Sequence, residues 1–282
     1  LTIVPKNIIN KIEKLPTLPT VYSRLTLALS DPKSTPESLA RVISSDQSAS
    51  LKLLKVANSS VFGLPGRIET VKDAIIRLGY NEVSNIIFAL SVINLFSKKK
   101  LLIHFQPVKF WEHSIAVGII SRLIGNHIGY GNLENCFLAG VIHDIGKLVF
   151  FESIEKEYLN VLKLIDEREG YSFDIEQELL GITHAEVGGM VADHWNIPQV
   201  LGNSIRQHHH LKDETSDGLS PIVYLANITA RFLDLGFSGD NQIPKPDERI
   251  WSILRISSDF FDTSLDEILN QHQLITQMLL TD

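Results

Sequence analysis

Gly140-Val141-Ile142-His143-Asp144-Ile145-Gly146-Lys147 is the stretch on which the reading of this 282-residue chain turns. An adjacent imidazole and carboxylate sit in an otherwise apolar run, and such groups are costly to bury unless something matches them. Further histidines stand at 113, 184 and 208–210. A hydrophobic core requires no such set, whereas imidazole and carboxylate are natural ligands of a divalent metal ion. Neighbouring side chains on a helix point about 100° apart, so His143 and Asp144 can serve one ion only at a helix end or a local distortion. Gly146 lets the backbone approach closely or bend beside them.

Outward from this stretch, apolar residues recur at helical spacing. Helices are expected over 34–45, 47–57, from the Thr70–Asp73 cap to Gly79, and over 83–96, 109–125 and 133–150. More are expected over 153–168, 172–180, 184–194, 198–209, 219–235, 247–257 and 264–279. The first has Ser34 and Glu37 at capping-box spacing, with Pro36 in its first turn. It buries Leu39, Val42 and Ile43, and the second turns Leu51, Leu54 and Ala57 inward. Residues 83–96 are apolar on several faces and belong at the centre. Asn58 is expected to hold the loop that follows it through its side chain. Lys212–Gly218 and Gly236–Asp247 read as polar loops, and Pro107 as a boundary. There is no alternating strand pattern, repeat or low-complexity segment. The fold class is all-α: a multi-helical bundle over 106–282 carrying a metal cleft, preceded by a smaller helical subdomain over 1–105.

A hydrophobic fraction of 44% supports a true core. The net charge of -7 disfavours wholesale nucleic-acid binding, and Lys98-Lys99-Lys100 reads as a solvated connector. The single cysteine, Cys136, excludes an internal disulfide, fits a reducing compartment and reads as a small buried side chain. Leu1–Lys6 lacks the pattern of a signal peptide, and no uncharged apolar run reaches about 18 residues. A cytoplasmic location without membrane contact is expected. Leu1 in place of methionine leaves the native start open.

The segment Trp111–Asn227 resembles the HD superfamily of metal-dependent phosphohydrolases, through Gly-x-x-His-Asp-Ile-Gly-Lys and the upstream helix that carries His113. The whole chain resembles HDOD proteins, a branch used in bacterial signalling. That likeness rests on Leu15-Pro16-Thr17-Leu18-Pro19, Leu54-Lys55-Val56-Ala57-Asn58-Ser59 and Ala74-Ile75-Ile76-Arg77-Leu78-Gly79, which otherwise read as packing and turn motifs. The resemblance implies that His113, His143 and Asp144 ligate one ion, with a late-helix aspartate as fourth ligand. Asn227 stands in that place, and a neutral amide is the poorer ligand. The di-metal branch adds a His-x-x-x-Gly histidine, here His184, and a His-His pair, here His208-His209. It often has a glutamate where this chain has Lys109, and its phosphodiesterases have a Gly-Tyr-Pro motif that is absent after His210.

Iron, manganese and zinc all suit such a set. Three successive imidazoles cannot share one face, so His210 should be exposed. Asp144 and Lys147 are the residues implied for catalysis. Lys147 is either a phosphate-facing cation or a solvated lysine, and Glu178 and Glu186 are either partners of imidazole N–H groups or surface charge. Two functions follow. One is a signalling module that keeps the cleft with catalysis residual or lost, and recognises a protein partner in trans. The other is a metal-dependent hydrolase of a phosphoester or nucleotide, in which the ion lowers the pKa of a bound water.

Overall fold

A computed structural model describes residues 8–10, 12, 13, 20–97, 106–211, 218–257 and 259–280. Leu15–Pro19, Lys98–Lys100 and residues 212–217 lie outside the described residues. The described chain is all-α, with no strand among the described residues. Packing divides it into two compact units: Pro16–Lys98 with Leu265–Asp282, and Lys99–Ser264 with Leu1–Leu15.

The first unit is built from α1 (Thr20–Leu29), α2 (Pro36–Ser44), α3 (Gln47–Ala57), α4 (Val71–Leu78), α5 (Tyr80–Ser97) and the later part of the last helix. At the start of α2 the cap lies one residue later than expected. Thr35 accepts from the Ser38 amide, Ser38 Oγ accepts from the Thr35 amide, and Glu37 instead pairs with Lys72. Ser34 Oγ is drawn away to the Ala28 carbonyl. Leu39 and Ile43 are buried as expected. In α3 the inward face is Ala49, Leu53, Val56 and Ala57, while Leu51 is 56% exposed. Expectation and structure differ there by a rotation of the helix, because the apolar residues at 51, 53, 54 and 56 fit two stripes. Thr70 caps α4 through the Asp73 amide, and Gly79 ends it at φ 86°. α5 is the central helix of its unit, with Val83, Ile86, Ile87, Phe88, Leu90, Val92 and Ile93 all buried.

The second unit contains α6 (Pro107–His127), α7 (Glu134–Ile142), α8 (Ile145–Ser153), α9 (Glu155–Arg168), α10 (Ser172–Leu180), α11 (His184–His194), α12 (Gln199–Gln207), α13 (Leu219–Phe232) and α14 (Arg249–Leu254). The last helix, α15 (Asp259–Leu280), begins earlier than its apolar pattern indicated. The single helix expected over 133–150 is two. The chain leaves helical geometry at Asp144, with φ -97° and ψ 12°, and re-enters at Ile145. α6 packs on α7 and α13, and α11 packs on α8 and α12. Among the contacts that bring backbones together closely enough to require glycine, two flank the His143–Asp144 pair. A Cβ on Gly140 would overlap the Gly118 backbone, and one on Gly146 would overlap the His184 carbonyl oxygen. Cys136 is buried against Gly125. No described helix is long and apolar enough to cross a membrane.

Asn58 closes the 59–67 loop as a two-way clamp: Oδ1 accepts from the Ile68 amide at 2.8 Å, and Nδ2 donates to the Ile68 carbonyl at 2.8 Å. The expected outcome of Asn58→Ala is a loss of about 1–2 kcal/mol in urea unfolding. An unchanged midpoint would show that the loop closes without the amide.

Candidate metal centre

The break between α7 and α8 sets the site. Where α7 ends, its last carbonyls lose helical partners, and His143 Nδ1 donates to the Gly140 carbonyl at 2.7 Å. At the end of α12, His208 Nδ1 donates in the same way to the Ile205 carbonyl at 2.6 Å. With Nδ1 carrying the proton, each neutral ring presents Nε2 as a lone pair. His184 opens α11 behind a Thr183–Glu186 capping box. Its Nδ1 donates to Glu176 Oε2 at 2.6 Å, and the same oxygen accepts the His184 amide at 2.7 Å.

These orientations converge on Asp144. Its Oδ1 lies 3.1 Å from His184 Nε2 and 3.3 Å from His208 Nε2. His184 Nε2 is in turn 3.2 Å from His208 Nε2 and 2.7 Å from His209 Nε2. The other carboxylate oxygen, Oδ2, accepts from Lys147 Nζ at 2.8 Å and is 3.5 Å from His143 Nε2. His113, on α6, meets Asn227 of α13, with Nε2 to Oδ1 at 3.0 Å. All seven expected ligands therefore gather around one carboxylate. They form two groups that share it, namely Asp144 with His184, His208 and His209, and Asp144 with His113 and His143. Asn227 closes the second group as a neutral amide. All are buried except His209, which is half-buried, and His210 is exposed as expected.

The donor set fits a first-row divalent ion. Ligands about 2.0 Å from a tetrahedral zinc ion are about 3.3 Å from one another, and the separations around Asp144 Oδ1 run from 2.7 to 3.3 Å. Buried imidazole lone pairs and a carboxylate oxygen this close repel unless a positive charge lies among them. With His184 and His208 in the tautomers set by Glu176 and the Ile205 carbonyl, neither Asp144 Oδ1 nor His143 Nε2 receives a hydrogen bond within the protein. Burial pushes His113 down to about 3, with Asp144 pulling against it, and burial likewise takes His143 and His209 well below the ordinary imidazole range. These rings are neutral, as metal ligands must be. Burial also works against charge on His184 and Asp144. There it is outweighed, by Glu176 beside His184 and by Lys147 and the imidazoles around Asp144.

Sequence patterns missed several supporting groups. Glu176 is fully buried on α10, one turn before Leu180, and its Oε1 also accepts from the Tyr158 hydroxyl at 2.9 Å. An acidic residue at core spacing was the available signal. Of the two roles open to Glu178 and Glu186, neither glutamate partners an imidazole: Glu178 pairs with Arg168 at the surface, and Glu186 caps α11. Lys147 is neither solvated nor open to a ligand. It is 1% exposed, and its ammonium donates to Asp144 and to the Ser238 carbonyl at 2.7 Å. The loop that carries Ser238 is docked by Phe237 N on the Lys109 carbonyl and by Asp240, which pairs with Arg231 and accepts the Ser172 amide. A cavity of about 300 Å³, lined by Phe173, His209, His210, Arg231, Asp240 and Lys245, opens beside His209.

The sequence matches the HDOD domain family over residues 15–211. The fold is that of an HDOD domain protein of unknown function from Geobacter sulfurreducens, at a TM-score of 0.77 and 24% identity over 96% of this chain and 97% of that one. A candidate signal-transduction protein from Marinobacter aquaeolei VT8 superposes at a TM-score of 0.72 and 21% identity, over 95% of this chain and 60% of that one. An uncharacterised protein of Treponema pallidum (strain Nichols) is 24% identical over 257 residues. That alignment takes in 90% of this chain and 48% of the relative, so the chain spans about half of that relative's length.

Burial opposes the Asp240 carboxylate, but Arg231, with smaller help from Lys147 and the Ser172 amide, holds it at about 2 against the usual 3.8. A depressed folded pKa stabilises at every pH above the unfolded value and is lost as pH falls through the folded one. Asp240→Asn should therefore cost about 2 kcal/mol at neutral pH. The difference should shrink from pH 4 downward and vanish near pH 2, read by denaturant unfolding across pH. A penalty independent of pH would assign the effect to packing.

Proposed function

From the premise that this chain belongs to the HDOD domain family, we propose that it is a signalling module built around a buried divalent-metal centre, with catalysis residual or lost. The observation that carries this is the convergence of His184, His208 and His209 Nε2 on the unpartnered Asp144 Oδ1. The Marinobacter neighbour, a candidate signal-transduction protein, lends support to the signalling role. Recognition of a protein partner in trans belongs to the same proposal, as does a choice among iron, manganese and zinc, the ions that suit an imidazole-rich set.

His184, His208, His209 and Asp144 would hold an ion, with His113, His143 and Asn227 beside them. Glu176 fixes the His184 tautomer and aims Nε2 inward, as carboxylates behind metal-ligating histidines do. Lys147 neutralises Asp144 and ties it to the Ser238 loop. An ammonium held by two buried acceptors is not available to steady a phosphoryl oxygen, which is the physical argument for reduced catalysis. When bound, an ion supplies Lewis acidity and a water of lowered pKa.

Phosphoester hydrolysis is the second reading. The cavity beside His209 favours it, because it opens onto the cluster and is lined by His209, His210 and Lys245, with Arg231 already paired to Asp240, and so would admit a phosphorylated small molecule or nucleotide.

Protein purified without chelator or metal-affinity resin should carry a divalent metal at near-stoichiometric level. Less than about a tenth of an equivalent, with no uptake on dialysis against manganese, would overturn the metal centre. A screen of generic phosphoesters and nucleotides with manganese should give no turnover above Asp144→Ala. Turnover that disappears in that variant favours the hydrolase instead. Glu176→Gln, which keeps the Tyr158 hydrogen bond, should weaken metal affinity by about 10- to 100-fold. Unaltered affinity would show that Glu176 does not orient His184.

A further inference from the structure

The two donor groups that share Asp144 are not equivalent. Around Oδ1, four donors face one another: the carboxylate oxygen itself, which has no hydrogen-bond partner, and the Nε2 atoms of His184, His208 and His209. Two of those rings are locked into the ligating tautomer, His184 by a carboxylate and His208 by a backbone carbonyl. The negative charge of Glu176 lies directly behind His184.

Around Oδ2 the donors are already committed. Lys147 Nζ is 2.8 Å from Oδ2, and both groups are buried, so the ammonium sits where an ion would need that oxygen. His113 Nε2 faces the Asn227 amide oxygen at 3.0 Å, and in the Nε2–H tautomer the ring donates to it and turns no lone pair toward an ion. His143 Nε2 is the single donor of this group with no partner. The charges run the same way. A divalent ion at this position would lie beside a buried ammonium, with Asp144 shared and Asn227 neutral, and like charges at such separations in a poorly solvated interior repel strongly.

We infer that this chain holds one divalent ion, at the Asp144 Oδ1, His184, His208 and His209 position, and that the Lys147 ammonium takes the place of a second ion at the His113–His143 position. This rests on the proposed metal centre and specifies its stoichiometry and location. The lysine then works as a fixed internal cation: it balances Asp144 from the side opposite the metal and makes the site mononuclear. His113, His143 and Asn227 become packing and hydrogen-bonding partners, and the asparagine is no defect, because no ion there needs a carboxylate as its fourth ligand.

The test is equilibrium dialysis of the whole chain against manganese, with elemental analysis and electron paramagnetic resonance of the bound metal. The wild type should bind one equivalent and give the six-line signal of an isolated manganese ion. His113→Ala should keep that equivalent with unchanged affinity. His208→Ala should weaken binding by at least about 100-fold, with folding checked in both by circular dichroism. Lys147→Met, if folded, should admit a second equivalent and an exchange-coupled signal. Two equivalents in the wild type, or an equivalent lost in His113→Ala and kept in His208→Ala, would overturn the inference while leaving a metal centre standing. No binding in the wild type would remove the metal centre and this inference with it.

Discussion

A buried carboxylate at Asp144 is the constraint that organises the second unit. Moving such a charge out of water costs several kcal/mol that only close, well-placed partners recover. Asp144 is 1% exposed, and the groups packed around it come from four directions: Lys147 one turn along its own helix, His143 beside it, His184 from α11 and His208 from the end of α12. Each partner is held by a further buried group. Glu176 and Tyr158 support His184, the Gly140 and Ile205 carbonyls support His143 and His208, and the Ser238 carbonyl supports Lys147. A network of this kind rewards complete satisfaction and penalises a missing member severely.

The same constraint explains the backbone. An uninterrupted helix through 133–150 would send His143 and Asp144 to different faces, and the break at Asp144 lets both reach the cluster while freeing carbonyls that orient imidazoles. The helices that contribute must also lie close together. Gly140 against Gly118 and Gly146 against the His184–Gly188 segment bring α6 to α7 and α8 to α11 at separations that no Cβ allows. Chemistry and packing therefore share residues: the glycine two positions after Asp144 sets how near His184 can come.

Legibility in the sequence followed the range of the interaction. Thr70 capping α4, Gly79 ending it, Asn58 holding the loop after it and the many-sided burial of α5 depend on residues close in the chain, and the structure agrees with the sequence at each. The shift from Ser34 to Thr35 at the start of α2 came from competition, since the Ser34 hydroxyl found the Ala28 carbonyl of the preceding helix. Leu51 turned outward because two apolar stripes overlap on α3 and only packing selects between them. Among the site residues, histidines announce themselves by rarity. Glu176 did not, because one buried glutamate in an acidic chain looks like many surface ones. Lys147 reads as a phosphate-facing cation or a solvated lysine, and the fold gives it a third role, buried against Asp144.

What the sequence determined by itself was the all-α class, most helix positions and the identity of the groups around Asp144, because helical period and the chemistry of imidazole and carboxylate are properties of the residues. Which of those groups keep an open lone pair was decided only by tertiary structure. A lone pair is available or spent according to what lies within about 3 Å of it, and for Asp144, His113 and His143 those neighbours come from Lys147, Asn227 and a carbonyl exposed by the helix break. The imidazoles and the carboxylate could be spelled from the chain, whereas which of their atoms lie against Lys147, Asn227 and a freed carbonyl required the fold.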